Sequence, residues 1–141
     1  MNIDYTISLS EEFIRNNKDK VDWDYISKYQ KLSEDSIIEF EDYVVWYYIS
    51  GYQKLSEDFI REFKDKVNWE CISEYQKLNI EFIKEFKNYI YWELLLYNFG
   101  LTILKAKGEF CIKSNNYNSG FVSFDEFINL ALKLISLNAF Q

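Results

Sequence analysis

Four tryptophans, Trp23, Trp46, Trp69 and Trp92, stand 23 residues apart, and Leu9, Leu32, Leu55 and Leu78 keep the same interval. At that period residues 21–43 and 44–66 agree at 16 of 23 positions, and 44–66 and 67–89 agree at 13. The tetrapeptide YQKL recurs from Tyr29, Tyr52 and Tyr75. Self-similarity at a fixed interval of this length is the signature of stacked supersecondary units, in which each copy covers the apolar face of its neighbour.

One copy reads as two short helices. The first starts near Asp22, Val45, Asn68 and Tyr91. Asp22 and Asn68 suit an N-cap, because their side-chain oxygens accept a first-turn N–H. Val45 has no such oxygen, so that helix is expected to start more weakly. Val21 and Ile26 fall where a hydrophobic staple pairs N′ with N4, and Val44/Ile49 and Val67/Ile72 repeat it. The second helix starts at Ser10, Ser33, Ser56 and Asn79, stapled by Leu9/Ile14, Leu32/Ile37, Leu55/Ile60 and Leu78/Ile83. Acids follow each cap, beside the positive end of the helix dipole. A 3.6-residue spacing puts Trp23, Ile26 and Tyr29 on one face. Trp46 is assigned to the core. Helices of about 8–10 residues are too short to stand alone in water. The expected fold is all-α: helix-turn-helix units of 23 residues stacked as a small solenoid. One domain is expected over 1–141, with a repeat region at 9–99 and a C-terminal capping segment at 100–141. In that segment residues 107–124 read as a loop or a small hairpin around 118–120. The run from Ser123 reads as a capped amphipathic helix that covers the last repeat.

Composition narrows the chemistry. Aromatic residues make up 20% of the chain, enough for a core, and there is no histidine. Ser-His, Cys-His and His-metal arrangements therefore have no basis. No catalytic residue, metal ligand or cofactor is expected, and the chain is not read as an enzyme. The net charge is −7, and residues 21–43 set seven acids against only Lys28 and Lys31. Binding to a phosphate backbone needs clustered Lys and Arg, so direct nucleic-acid binding is not expected. The opening MNIDYTISLSEE has neither the basic region nor the apolar core of a secretory signal. The most apolar run, 89–104, contains Glu93 and Asn98 and is too short to span a bilayer. Together with Cys71 and Cys111, read as reduced thiols, these features point to a cytoplasmic protein without membrane contact. Cys71 occupies the place of Tyr25 and Tyr48 in the other copies and reads as a core filler.

The stretch ISGYQKLSEDFIREFKDKVNWECIS, from Ile49, resembles a repeat of hypothetical proteins of large DNA viruses, phages and AT-rich bacteria, whose unit is approximately YISKYQKLSEDFIREFKDKVDW. The resemblance covers residues 9–92. It implies an all-helical repeat fold and implies no activity.

Three features invite a functional reading. The acidic copy carries Asp22, Asp24, Glu34, Asp35, Glu39, Glu41 and Asp42, a candidate surface for electrostatic docking on a basic protein. The recurring tyrosines are read as half-buried packing residues, with an aromatic binding face as the alternative. Residues 115–126 resemble a calcium loop in Gly120 and Glu126, but Asn115, Tyr117 and Ser119 stand where carboxylates are needed. The expected function is non-enzymatic protein binding. Its narrower form is a phage- or virus-type inhibitor whose acidic face blocks a basic groove of a host-defence nuclease, as an anti-CRISPR protein does, in the host cytoplasm. The alternatives are a structural, self-assembling repeat module, consistent with a homo-oligomer, and a small-ligand or calcium sensor using residues 115–126.

Overall fold

A computed structural model describes residues 2–138. The chain forms two compact units, one ending at Gln76 and the other beginning at Lys77.

The first unit holds six short helices: α1 (Glu11–Asn16), α2 (Trp23–Tyr29), α3 (Glu34–Glu39), α4 (Trp46–Tyr52), α5 (Glu57–Glu62) and α6 (Trp69–Tyr75). The starts follow the expected chemistry. The hydroxyls of Ser10, Ser33 and Ser56 accept the N–H of Phe13, Ser36 and Phe59. The side chains of Asp22 and Asn68 accept those of Tyr25 and Cys71, and Val45 leaves α4 without a side-chain cap. Each helix contributes one isoleucine with no exposed surface: Ile14, Ile26, Ile37, Ile49, Ile60 and Ile72. The staple residues Leu9, Val21, Leu32, Val44, Leu55 and Val67 are buried beside them.

The buried stripe of the first-type helices differs from the expected one. Tyr29 is 59% exposed, while Ser27 and Gln30 are buried. The inward residues of α2 are thus Ile26 and Ser27 with the following Gln30, and both polar side chains are consumed by backbone. The hydroxyl of Ser27 accepts the N–H of Val45, and that of Ser50 accepts the N–H of Asn68. The amide of Gln53 accepts the N–H of Leu32 at 3.1 Å and donates to the carbonyls of Ser27 and Gln30 at 2.9 and 2.7 Å. Gln76 does the same one repeat later, with Leu55, Ser50 and Gln53. Gln30 does so one repeat earlier, with Leu9 and Ile7. A third link joins the second-type helices: the carboxylate of Glu11 accepts the N–H of Ser33, and that of Glu34 the N–H and hydroxyl of Ser56. With these links α2 packs on α4 and α4 on α6. Trp23, Trp46 and Trp69 are half-buried, so Trp46 is not a deep core residue. Their indole N–H groups donate to the carbonyls of Lys18, Glu41 and Lys64 and close the turn before each first-type helix.

The second unit continues the alternation in α7 (Ile80–Glu85) and α8 (Trp92–Tyr97), then changes. The strands β1 (Thr102–Ala106), β2 (Glu109–Ser114) and β3 (Tyr117–Asn118) form an antiparallel sheet in that order, followed by α9 (Phe124–Asn138). The protein is therefore helix-rich rather than all-α. The hairpin turn also lies elsewhere than expected. Ala106 pairs with Glu109, so the loop is the two residues Lys107 and Gly108, with φ of 51° and 80°. Positive φ at both central residues matches strand twist in a two-residue hairpin, and glycine adopts it freely. Ile103 faces Ile112 and Leu104 faces Cys111, and both Cys111 and Ile112 are buried. The start of α9 is a capping box: the N–H and hydroxyl of Ser123 donate to the carboxylate of Glu126. The helix buries Phe127, Ile128, Ala131 and Ile135 and packs on α7 and β2.

The glutamine links carry a direct test. Gln53→Glu removes the donor facing two carbonyls and is expected to cost roughly 1–3 kcal/mol or more at neutral pH. Burial against carbonyl oxygens raises the folded pKa of the new carboxyl above its unfolded value of about 4.3. The lost stability should thus return in part below that value and disappear as pH rises through the folded value. Urea denaturation of both proteins between pH 4 and 7 checks this. A variant as stable as wild type at pH 7 would contradict the role given to Gln53.

Candidate functional site

The acidic block does not survive folding as seven equivalent charges. Asp22 caps α2, and its own N–H hydrogen-bonds the hydroxyl of Tyr5. Glu34 is spent on Ser56. Glu39 accepts a fork from Arg15 of α1, Nε at 2.6 Å and Nη2 at 2.7 Å. Glu41 takes Lys66 Nζ at 2.7 Å. Asp24, Asp35 and Asp42 are exposed and, among the described residues, form no ion pair. They lie on α2, on α3 and in the turn after α3. The free carboxylates are thus three rather than seven.

The bound carboxylates show their environment. The N–H of Ser33 holds the Glu11 carboxyl below its ordinary value. The Arg15 guanidinium does the same for Glu39, and Glu39 in turn raises Arg15. Solvent screens an exposed pair such as Arg15–Glu39, so its part is to tie α1 to α3 rather than to make a chemical centre.

The most prominent exposed feature of the first unit is aromatic. Tyr29, Tyr52 and Tyr75, the tyrosines of the three YQKL tetrapeptides, are 59%, 54% and 59% exposed. They sit in the last turn of α2, α4 and α6, opposite the Ile-Ser-Gln stripe that turns inward. The rings run together. Tyr5 contacts Tyr25 at 4.9 Å and Tyr25 contacts Tyr29 at 4.7 Å. Tyr48 contacts Tyr47 and Tyr52 at 5.5 and 6.1 Å. Lys28 bridges the two helices, its Nζ 5.0, 5.4 and 5.2 Å from the ring centres of Tyr29, Tyr48 and Tyr52. A hydrogen bond to Tyr29 raises its pKa. In the next copy Lys28 is replaced by Gly51, and a Cβ built there would meet Tyr75 Cδ2 at 3.4 Å. The small residue lets the Tyr75 ring lie against α4. Asp22 and Asp24, with Tyr25, Lys28, Tyr29 and Tyr48, line a shallow cleft of about 210 Å³ at the edge of this face. The signal was present in the sequence as tyrosine recurrence. Its outward direction follows only once Ser27 and Gln30 are known to point inward.

Neither cysteine makes a centre. Cys71 is buried, and burial raises its thiol pKa, which suits packing rather than reactivity. Residues 115–126 form no open loop: Tyr117 and Asn118 belong to β3, Asn118 Oδ1 accepts the N–H of Gly120, and Glu126 completes the capping box. Among the described residues no three His, Cys, Asp or Glu side chains gather as metal ligands, and no helix is long and apolar enough to cross a membrane. No family model, curated protein or solved structure matches the chain.

The lowered carboxyls set a pH dependence. Their contribution is complete above the ordinary value of 4.5 and is lost as pH falls through the lower folded values. The paired substitution Glu11→Gln and Glu39→Gln is expected to flatten the acid limb of a Tm-against-pH curve below about pH 4.5. An unchanged limb would show that other carboxylates set acid stability.

Proposed function

We propose that this chain is a non-enzymatic repeat protein that binds another protein through the tyrosine face of α2, α4 and α6. The observation that carries this reading is the repeated exposure of Tyr29, Tyr52 and Tyr75 in a unit where every helix buries one isoleucine completely. Aromatic rings this exposed are not needed by the core. Tyrosine offers a large, stiff contact area with a polar tip and is enriched at interfaces. The helix pairs are read as a small solenoid, a form that repeats the same side chain across a continuous surface.

The charge around the face favours a basic partner. Asp24 lies in the cleft beside the tyrosines, and the chain carries a net charge of −7. Acidic surroundings steer a positive surface into contact and fix orientation more than they add affinity. The same balance disfavours a nucleic-acid ligand. The narrower form is an inhibitor that occludes a basic groove on a host-defence nuclease. It is supported by the free aspartates and by the resemblance of the repeat to those of phages and large DNA viruses.

Glu34 and Glu39 are unsuitable for testing this, because reversing them would break links within the unit. The triple substitution of Tyr29, Tyr52 and Tyr75 to Ala and the triple reversal of Asp24, Asp35 and Asp42 to Lys change only exposed side chains and should leave the fold intact. Affinity capture with the wild type and both variants, read by mass spectrometry, is expected to retain a basic protein on the wild type, with strong loss on the tyrosine variant and weaker loss on the aspartate variant. Equal retention by all three would overturn the site. Retention of only further copies of the chain would replace the partner with self-assembly.

A further inference from the structure

The second unit contains a cleft that protein binding through the first does not use. It has a volume of about 420 Å³, opens at the start of α8, and is walled by β1, β2 and α9. Its apolar side is built from aromatic rings in mutual contact. Trp92 meets Phe127 at 5.6 Å, Phe127 meets Phe110 at 5.0 Å, and Phe110 meets Phe124 at 5.3 Å. Trp92 and Phe127 are buried, whereas Phe124 is 37% exposed and turns part of its ring to the opening. The polar side of the cleft is lined by Lys87, Glu93 and Lys105. Lys105 Nζ reaches Glu93 at 2.7 Å and lies 5.9 Å from the centre of the Phe110 ring. Lys87, in the turn between α7 and α8, also lines the cleft, and its carbonyl accepts the indole N–H of Trp92 at 3.0 Å.

We infer that this cleft is a binding site for a small planar aromatic anion, such as an aromatic carboxylate. Its volume lies within the roughly 300–1,000 Å³ of small-ligand sites, and its make-up, mostly apolar and aromatic side chains with a few polar groups, is theirs. The rings offer edge and face contacts to a flat ligand. The charge selects the sign. Glu93 neutralises Lys105, and Lys87 leaves the lining of the cleft with one positive charge in excess. An anion meets a net positive lining there, and a cation would meet Lys87 and the occupied Glu93. A protein side chain entering the same cleft is the competing occupant, and the experiment separates the two.

The probe is 2-naphthoate, with 2-naphthamide as its neutral counterpart, titrated into the full ¹⁵N-labelled chain and followed by two-dimensional NMR. Naphthoate is expected to shift the indole N–H of Trp92 and the backbone amides around residues 87–94 and 103–110, and to bind at least several-fold more tightly than naphthamide. The double variant Lys87→Ala and Lys105→Ala, whose spectrum also reports whether it is folded, should abolish the preference for the anion while leaving weak naphthamide binding in place. No shift of Trp92 at millimolar naphthoate would overturn the inference and leave the cleft to a macromolecular occupant. Equal affinity for the two probes, or a preference that survives in the folded double variant, would overturn the charge selection.

Discussion

A buried glutamine hooked onto the backbone of the preceding repeat is the constraint on which the first unit depends. Helices of six or seven residues bury little and satisfy few of their own backbone groups. Each turn between them is pressed against a neighbouring turn, where a main-chain N–H or C=O without a partner costs about as much as a lost hydrogen bond. Gln30, Gln53 and Gln76 each supply an acceptor and a donor at that place. The hydroxyls of Ser27 and Ser50 and the carboxylates of Glu11 and Glu34 satisfy three further kinds of backbone or hydroxyl group along the same joints. The isoleucines provide apolar burial, but burial alone is non-directional. The polar hooks are what fix one repeat at a set register on the next.

The same hooks determine which surface is left for binding. With Ile26, Ser27 and Gln30 turned inward, Tyr25, Lys28 and Tyr29 fall on the other side of a helix of 3.6 residues per turn. Because the hook recurs every 23 residues, so does the outward tyrosine. The acidic block is reduced by the same logic. Glu34 and Glu39 lie where they can reach the neighbouring second-type helix, and they are consumed there. A charge that is continuous in sequence becomes one ladder link, one cap, two ion pairs and three free aspartates.

The repeat, its period, the N-caps and the staples were legible in the sequence because each rests on local chemistry that one copy shows three or four times. The inward polar side chains were not. Hydropathy places Ser27 and Gln30 outside and Tyr29 inside, and only the demands of the adjacent backbone reverse this. The sheet was obscured for a different reason. Residues 102–114 occur once, so no second copy revealed their alternation, and the Lys107–Gly108 turn looks like an ordinary break until its positive φ values are seen. The calcium-like spacing of Gly120 and Glu126 shares its glutamate with a capping box, which places it three residues after its serine. For the binding face, the tyrosines were visible in number and spacing, and their direction was not.

Native-state hydrogen exchange at the backbone amides of Leu9, Leu32 and Leu55 tests the central claim most directly. These N–H groups lie outside helices and strands, and each is paired with a glutamine side chain one repeat on. The account predicts that they exchange as slowly as the amide of Ile49 inside α4, and that the side-chain amide protons of Gln53 are protected with them. Exchange at the rate of exposed turns, with Ile49 still protected, would show that the glutamines do not hold the repeats together and that apolar packing alone does.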